Sequence, residues 1–327
     1  GSTERIGPEN ADLYQPRLAV DADGALWCVW SENRDGNWDL HAARRTDVWS
    51  PPVRLTRAHG TDFNAELVRT PDGLVIAWQA ERDGQYEIFL ARLGAKGLSR
   101  VENVSEHPGS DWEPTLAAAP DGRIAVVWDS YRNGSYDIYL RTRTAEKLQP
   151  LTPISTTGNY EAHASADYAP DGRLWIAWDD GGARWGKHNR PRLLLHGERR
   201  VKLAAWDGNR VQITAPGLHT CRPDTLKGLW ELPVVRVDPA GAPVVFFRHL
   251  TPVGRWNVRR KARDRQTRGV WTYYVTRLEN GAWSRPQLLW GSEGRNDQRL
   301  RAVPGPDGAL WTAYAGDNRR IARAEIP

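Results

Sequence analysis

The chain has 327 residues, 40 % of them hydrophobic, with a mean hydropathy of −0.64 and a formal net charge of +5. This balance supports a buried core, and no apolar run approaches the ~18 residues that a membrane-spanning helix needs. Two cysteines, Cys28 and Cys221, make neither a disulfide framework nor a metal cluster, and methionine is absent, so Gly1-Ser2 reads as a cloning remnant ahead of the natural sequence.

Along the chain one phrase keeps returning. Asp-Ala-Asp-Gly at 21–24 recurs as Pro-Asp-Gly at 71–73, 120–122, 170–172 and 306–308, and as Pro-Ala-Gly at 239–241. Each is a turn signal followed by a strongly apolar run: Ala25–Trp30, Leu74–Trp78, Ile124–Trp128, Leu174–Trp178, Ala242–Phe247 and Ala309–Tyr314. Runs without a polar face suit strands covered on both sides. Cys28 lies inside the first of them, as a buried, inert thiol. A second turn signal, Arg34-Asp35-Gly36, Arg82-Asp83-Gly84 and Arg132-Asn133-Gly134, predicts third strands at Trp38–Ala43, Tyr86–Ala91 and Tyr136–Arg141. Fourth strands are expected at Pro52–Thr56, Arg100–Val104 and Leu148–Pro153. Four antiparallel strands in about 50 residues is the unit of a β-propeller blade. Six repeats predict an all-β, six-bladed propeller occupying residues 1–327 as a single domain. The last repeat has strands near 300–303, 309–314 and 320–325 but no fourth, so Thr3-Glu4-Arg5-Ile6 is expected to supply it and close the ring.

The units at 71–89 and 120–139 resemble the repeats of TolB-like six-bladed propellers. Gly172-Arg-Leu-Trp-Ile-Ala-Trp-Asp-Asp-Gly-Gly-Ala-Arg-Trp-Gly-Lys187 and Gly294-Arg-Asn-Asp-Gln-Arg-Leu-Arg301 are similar to an uncharacterised bacterial family. There a propeller precedes a PHP-like, metal-dependent phosphoesterase-type domain. The resemblance implies the architecture. The clustered His and Asp of that metal domain are absent from this sequence, so its activity is not implied.

Counting back from each turn glycine aligns the first strands. Nine back stand Gln15, Asn64, Glu113, His163, Leu232 and Arg299; seven back stand Arg17, Glu66, Thr115, Ser165, Val234 and Arg301. Between them lie Pro16, Ala65, Pro114, Ala164, Pro233 and Leu300, so the polar sets are expected to face a channel mouth while the apolar set packs. Eleven back, Leu13, Asp62, Asp111, Glu161, Trp230 and Asp297 suggest an acidic and aromatic rim, although Asp in such loops also serves as a turn cap.

Two repeats carry insertions, at about 181–202 and 249–268. The first contains Arg184, Trp185, Lys187 and His188; the second contains Arg255 and Trp256. Each segment has a net charge of +6 against a chain total of +5, so the remainder sums to −7 and the basic character belongs to two loops. Long loops on a repeat fold carry function, and Arg interspersed with Trp suits anionic groups and sugar rings. With these residues Trp230, Glu231, Arg299, Arg301, Gln15 and Asn64 form the expected ligand-binding set.

No Gly-x-Ser-x-Gly, His-Glu-x-x-His, phosphate-binding glycine loop or Cys-x-x-Cys occurs, and no metal or cofactor is expected. His163, Tyr160, Glu161 and Glu113 are the catalytic candidates. A Tyr/His pair serves a glycan lyase, and a pair of carboxylates serves a hydrolase. The favoured reading is a binding or scaffolding propeller for an acidic glycan or a partner domain, including a catalytic domain outside this sequence. The alternative is a carbohydrate-active enzyme on the same face. A monomer, exported to the periplasm or beyond, is expected; nucleic acid is a poor fit because no recognised module accompanies the basic loops.

Overall fold

A computed structural model describes residues 3–182, 185, 199–214, 218, 229–252, 269–293, 299–305, 307–315 and 321–326. Its named elements are all β-strands, in six sheets among the described residues. They divide into two compact units, Gly1–Thr157 and Gly158–Pro327.

The first unit holds three four-stranded sheets. Sheet one is β1 (Leu13–Val20), β2 (Leu26–Arg34), β3 (Asn37–Arg45) and β4 (Val53–Arg54). Sheet two is β5 (Asp62–Thr70), β6 (Gly73–Arg82), β7 (Gln85–Gly94) and β8 (Gly97–Asn103). Sheet three is β9 (Asp111–Ala118), β10 (Ile124–Ser130), β11 (Asp137–Arg143) and β12 (Thr152–Ser155). Every sheet runs in sequence order with antiparallel neighbours, so the expected hairpins and blade-like units are present.

The second unit repeats the plan. Sheet four is β13 (Glu161–Tyr168), β14 (Leu174–Asp180), β15 (Arg200–Trp206) and β16 (Val211–Ile213). Sheet five is β17 (Trp230–Val237), β18 (Pro243–Pro252) and β19 (Gly269–Glu279), with the short β20 (Ala282–Trp283) and β21 (Gln287–Leu288) both pairing β19. Sheet six is β22 (Arg301–Pro304), β23 (Leu310–Ala315) and β24 (Ile321–Ile326).

The second strands are the cores. All seven residues of β10 and of β14 are buried, and Trp78, Trp128 and Trp178 are almost wholly excluded from water. Burying a side chain of this size contributes roughly 2–3 kcal/mol. The turn glycines fulfil their role: Gly24, Gly122, Gly172, Gly241 and Gly308 all have φ between +79° and +87°, a region that any other residue enters with strain. A second recurrent device anchors the outer strands. Thr56, Ser105 and Ser292 accept the backbone N–H of Leu40, Ile88 and Tyr273 on the neighbouring third strand.

Residues 3–7 depart from expectation, because they form no strand and sheet six has three strands among the described residues. Gly7-Pro8 interrupts the segment, and proline donates no ladder hydrogen bond. Ile6, like Trp49, instead packs against the cluster of Cys28, Trp30 and Ala43 in the first unit, while Glu4 pairs with Arg45 at 3.2 Å. Cys28 is buried as expected, and desolvation pushes its pKa up to about 11, so the thiol is unreactive at neutral pH.

Beside it, His41 is buried, stacked on Trp30, with its Nδ1 3.9 Å from Glu32. Burial pulls the His41 pKa below the ordinary 6.5, against the opposing pull of Glu32 and the Asp39 carbonyl; Arg34 assists the lowering. A lowered folded-state value means that the unfolded chain binds the proton more readily. Stability from this group is therefore complete above pH ~6.5 and is lost as pH falls through the folded value. Melting temperature measured from pH ~7 down to ~5 should fall, with a shallower slope in His41→Gln.

Candidate functional site

The first strands share one irregularity. In five sheets the ladder register shifts at the residues nine and eight back from the turn glycine, and the residue nine back is left-handed: Gln15 (φ 45°), Asn64 (54°), Glu113 (46°), His163 (59°) and Leu232 (50°). Each is a β-bulge. For non-glycine residues this conformation costs about 1–2 kcal/mol, so the surroundings must hold it, and a bulge re-aims its side chain.

What holds it comes from the preceding sheet. Gln79 of β6 accepts the backbone N–H of Glu113 at 3.1 Å and the Asn64 amide at 2.9 Å. Asp179 of β14 accepts the backbone N–H of Leu232 at 2.9 Å. In these two sheets the residue after the core tryptophan of the second strand, Gln79 or Asp179, is thus a brace for the bulge of the next sheet. Of the apolar residues between the polar sets, Ala65, Pro114, Ala164, Pro233 and Leu300 are buried as expected, whereas Pro16 is exposed, on a first strand with no fully buried residue.

In sheet four this brace carries more. The Asp179 side chain is fully buried and lies 2.7 Å from His163 Nδ1 and 3.9 Å from Arg199 Nη1. A carboxylate accepts only, so the His163 proton sits on Nδ1. The Arg199 guanidinium, 2 % exposed, rests 4.0 Å over the Tyr160 ring, and Tyr160 meets His163 edge-on at 6.1 Å. Trp185 packs on Tyr160 at 5.8 Å and donates from Nε1 to the Gly158 carbonyl at 3.3 Å. Gly181 permits this approach, since a Cβ there would stand 3.1 Å from Tyr160 Cβ. Glu161, also fully buried, lies 3.8 Å from Lys202 Nζ, and Lys202 also pairs with Asp180. Asp180 further accepts from Asn159 and from the Gly182 N–H.

Sheet four therefore gathers His163, Tyr160 and Glu161, three of the four catalytic candidates, with Trp185. Glu113 belongs to the first unit, on β9. The chemistry on offer is limited. The oxygens of Glu161, Asp179 and Asp180 are engaged by cations, by amides or by His163, and His163 alone of these groups keeps appreciable exposure, 22 % of its side chain.

Other expected ligand groups serve the fold. Asp62 and Asp111 form no rim: both are fully buried, accepting from the Nε1 of Trp78 and Trp128 at 2.7 and 2.8 Å and from Arg82 and Arg132. Asp297 lies outside the described residues. Trp230 is 4 % exposed and stacked flat on Phe247 at 4.5 Å, and Glu231 is buried against Arg248 at 2.7 Å. Both are interior, Trp230 held by the Phe247 ring and Glu231 by the Arg248 guanidinium. Arg299 donates to the Ala164 carbonyl at 3.1 Å, and Arg301 begins β22. Gln15 donates to its neighbour Tyr14.

Both basic insertions join the second to the third strand of their sheets, between β14 and β15 and between β18 and β19. Arg184, Lys187, His188, Arg255 and Trp256 lie outside the described residues. No group of three or more metal-ligating side chains occurs among the described residues, and none of their helices is long and apolar enough to cross a membrane.

No protein-family model and no curated protein matches the chain. Solved structures do. A protein of unknown function from Dyadobacter fermentans superposes with a TM-score of 0.60 at 11 % identity, covering 97 % of this chain and 94 % of that one. Hydrazine synthase of Kuenenia stuttgartiensis gives 0.57 at 14 % identity, covering 95 % and 84 %. An α-L-arabinanase of Penicillium chrysogenum, solved with arabinobiose, gives 0.54 at 14 % identity, covering 96 % and 93 %. At these identities the likeness is one of fold: the chain is all-β, built of sheets like propeller blades, and its structural neighbours are β-propellers.

Proposed function

We propose that the chain is a single six-bladed β-propeller that binds an acidic glycan at the loop end of sheets four and five and does not turn it over. The six sheets supply the blades. The first strands of successive sheets pack side by side within each unit, β1 on β5 on β9 and β13 on β17 on β22, as a ring requires. The TolB-like resemblance, an exported location and a monomeric state belong to the same reading.

The observation that carries it is the tether at Trp185. Its ring packing on Tyr160 and its bond to Gly158 fix the root of the first basic insertion beside His163. Lys187, Arg190 and Arg192 follow within seven residues of that anchor. Guanidinium groups suit the carboxylates or sulfates of an acidic sugar. The arabinanase with its bound arabinobiose supports a sugar as the ligand class. Turnover is disfavoured by the engaged carboxylates, because a hydrolase needs one to give a proton and one to attack or activate water.

Chromatography on immobilised polygalacturonate tests this. Retention at ~0.02 M salt and release near ~0.5 M are expected, because screening shortens the reach of exposed charges. Passage without retention at low salt overturns the acidic ligand. Unsaturated or newly reducing products in the eluate overturn the non-catalytic reading.

A further inference from the structure

We infer that the loop end of sheets one to three is a second, separate carbohydrate-binding surface, suited to an uncharged pyranosyl chain. Each of these sheets carries an aromatic pair at one register position. Tyr14 meets Trp38 at 6.3 Å and 72°, Phe63 meets Tyr86 at 5.8 Å and 80°, and Trp112 meets Tyr136 at 5.2 Å. In sheet three Tyr131 joins, 5.2 Å from Tyr136 and 6.5 Å from Trp112. Tyr14, Phe63 and Trp112 each stand directly before a left-handed bulge residue.

Folding does not demand aromatics there. The same position in sheets four and five is Ala162 and Glu231, both buried in equally regular strands. In sheets one to three the rings instead reach water: Tyr14 is 45 % and Tyr131 36 % exposed, and their partners are half-buried. Three partly exposed aromatic pairs, set one sheet apart, offer successive flat faces to the C–H faces of sugar rings. The bulges place Gln15 and Glu113 immediately beside two of the pairs, where amide and carboxylate groups meet sugar hydroxyls.

The local charge selects among ligands. Burial pushes the Tyr136 hydroxyl pKa up, and the nearby Asp129 and Glu113 carboxylates add to it; two carboxylates beside the rings disfavour an anionic sugar. A caged ammonium is the other aromatic ligand, but it needs rings set apart around a slot. Centroids 5.2 Å apart are rings already in contact, which makes a platform and not a cage.

Tryptophan fluorescence titrations with cellohexaose, xylohexaose, mannohexaose and maltohexaose test the surface, with choline as the cationic probe. At least one hexasaccharide should shift the emission, with little response to salt. Trp112→Ala should weaken it about tenfold, the worth of one aromatic contact. Tyr131→Ala, at an exposed site that leaves folding intact, should weaken it severalfold. Binding should persist in a variant lacking Arg184 and Arg255, so failure of the acidic-glycan reading leaves this result unchanged. Absence of any response across the four sugars, wild-type affinity in Tyr131→Ala, or displacement of a bound sugar by choline overturns the inference.

Discussion

Replacing Asp179 by alanine should destabilise the protein by about 3–5 kcal/mol, the cost of removing one partner from a buried ion pair. One carboxylate here meets three demands. It accepts the Leu232 N–H, which a left-handed bulge leaves without a ladder partner, it holds His163, and it stands opposite the buried Arg199. Alanine removes the Leu232 acceptor and a negative charge facing the buried Arg199 together, and each loss carries a desolvation penalty. Asp179→Asn keeps an acceptor for Leu232 but loses the negative charge, so it should fall between wild type and alanine. Denaturant midpoints for the three proteins decide the matter. Equal midpoints for wild type and Asp179→Ala would mean that the bulge and Arg199 are held by other groups.

The second large effect concerns ligand affinity. Arg184→Ala combined with Arg255→Ala should weaken polygalacturonate binding by about two orders of magnitude, if each arginine makes a charge-assisted contact worth roughly 1.5–3 kcal/mol. The two residues lie in insertions that leave sheets four and five between the same pair of strands. The salt dependence of the remaining binding should also become shallower, because fewer exposed charges take part. Single substitutions that each cost as much as the pair would indicate one shared anionic group on the ligand. No loss in the double variant would remove the insertions from the binding face.

The fold was legible wherever a residue type was forced. Pro-Asp-Gly turns demand a left-handed glycine, and an unbroken apolar run such as Ile124–Trp128 or Leu174–Trp178 demands cover on both faces. Both leave a mark at a fixed spacing. The bulges leave none, because Gln15, Asn64, Glu113, His163 and Leu232 share a conformation and no chemistry, and the braces of Glu113 and Leu232 lie in the preceding repeat. The expected rim eleven back put Trp230, and Glu231 with it, in the ligand-binding set, whereas both are buried. Asp62 and Asp111 were half legible: the cap was foreseen, but its partners are tryptophan and arginine side chains 16 to 21 residues away rather than turn amides. Residues 3–7 were misplaced for a third reason, since an incomplete last repeat suggests a missing strand but cannot weigh the hold of Ile6 on Cys28 and Trp30.

His163 was singled out because the repeat does not require histidine at that position. The structure adds that its ring is fixed by Asp179 and partly open to water, with Tyr160 packed on it and Trp185 packed on Tyr160. Under the proposed reading that combination recognises a ligand and does not transform it. Calorimetric titration of polygalacturonate into the protein at low salt examines both halves of this statement at once. Saturable heats that decline to the dilution baseline and stay there are predicted. A baseline that remains displaced while substrate lasts would signify turnover, and an absence of heat at any concentration would contradict binding.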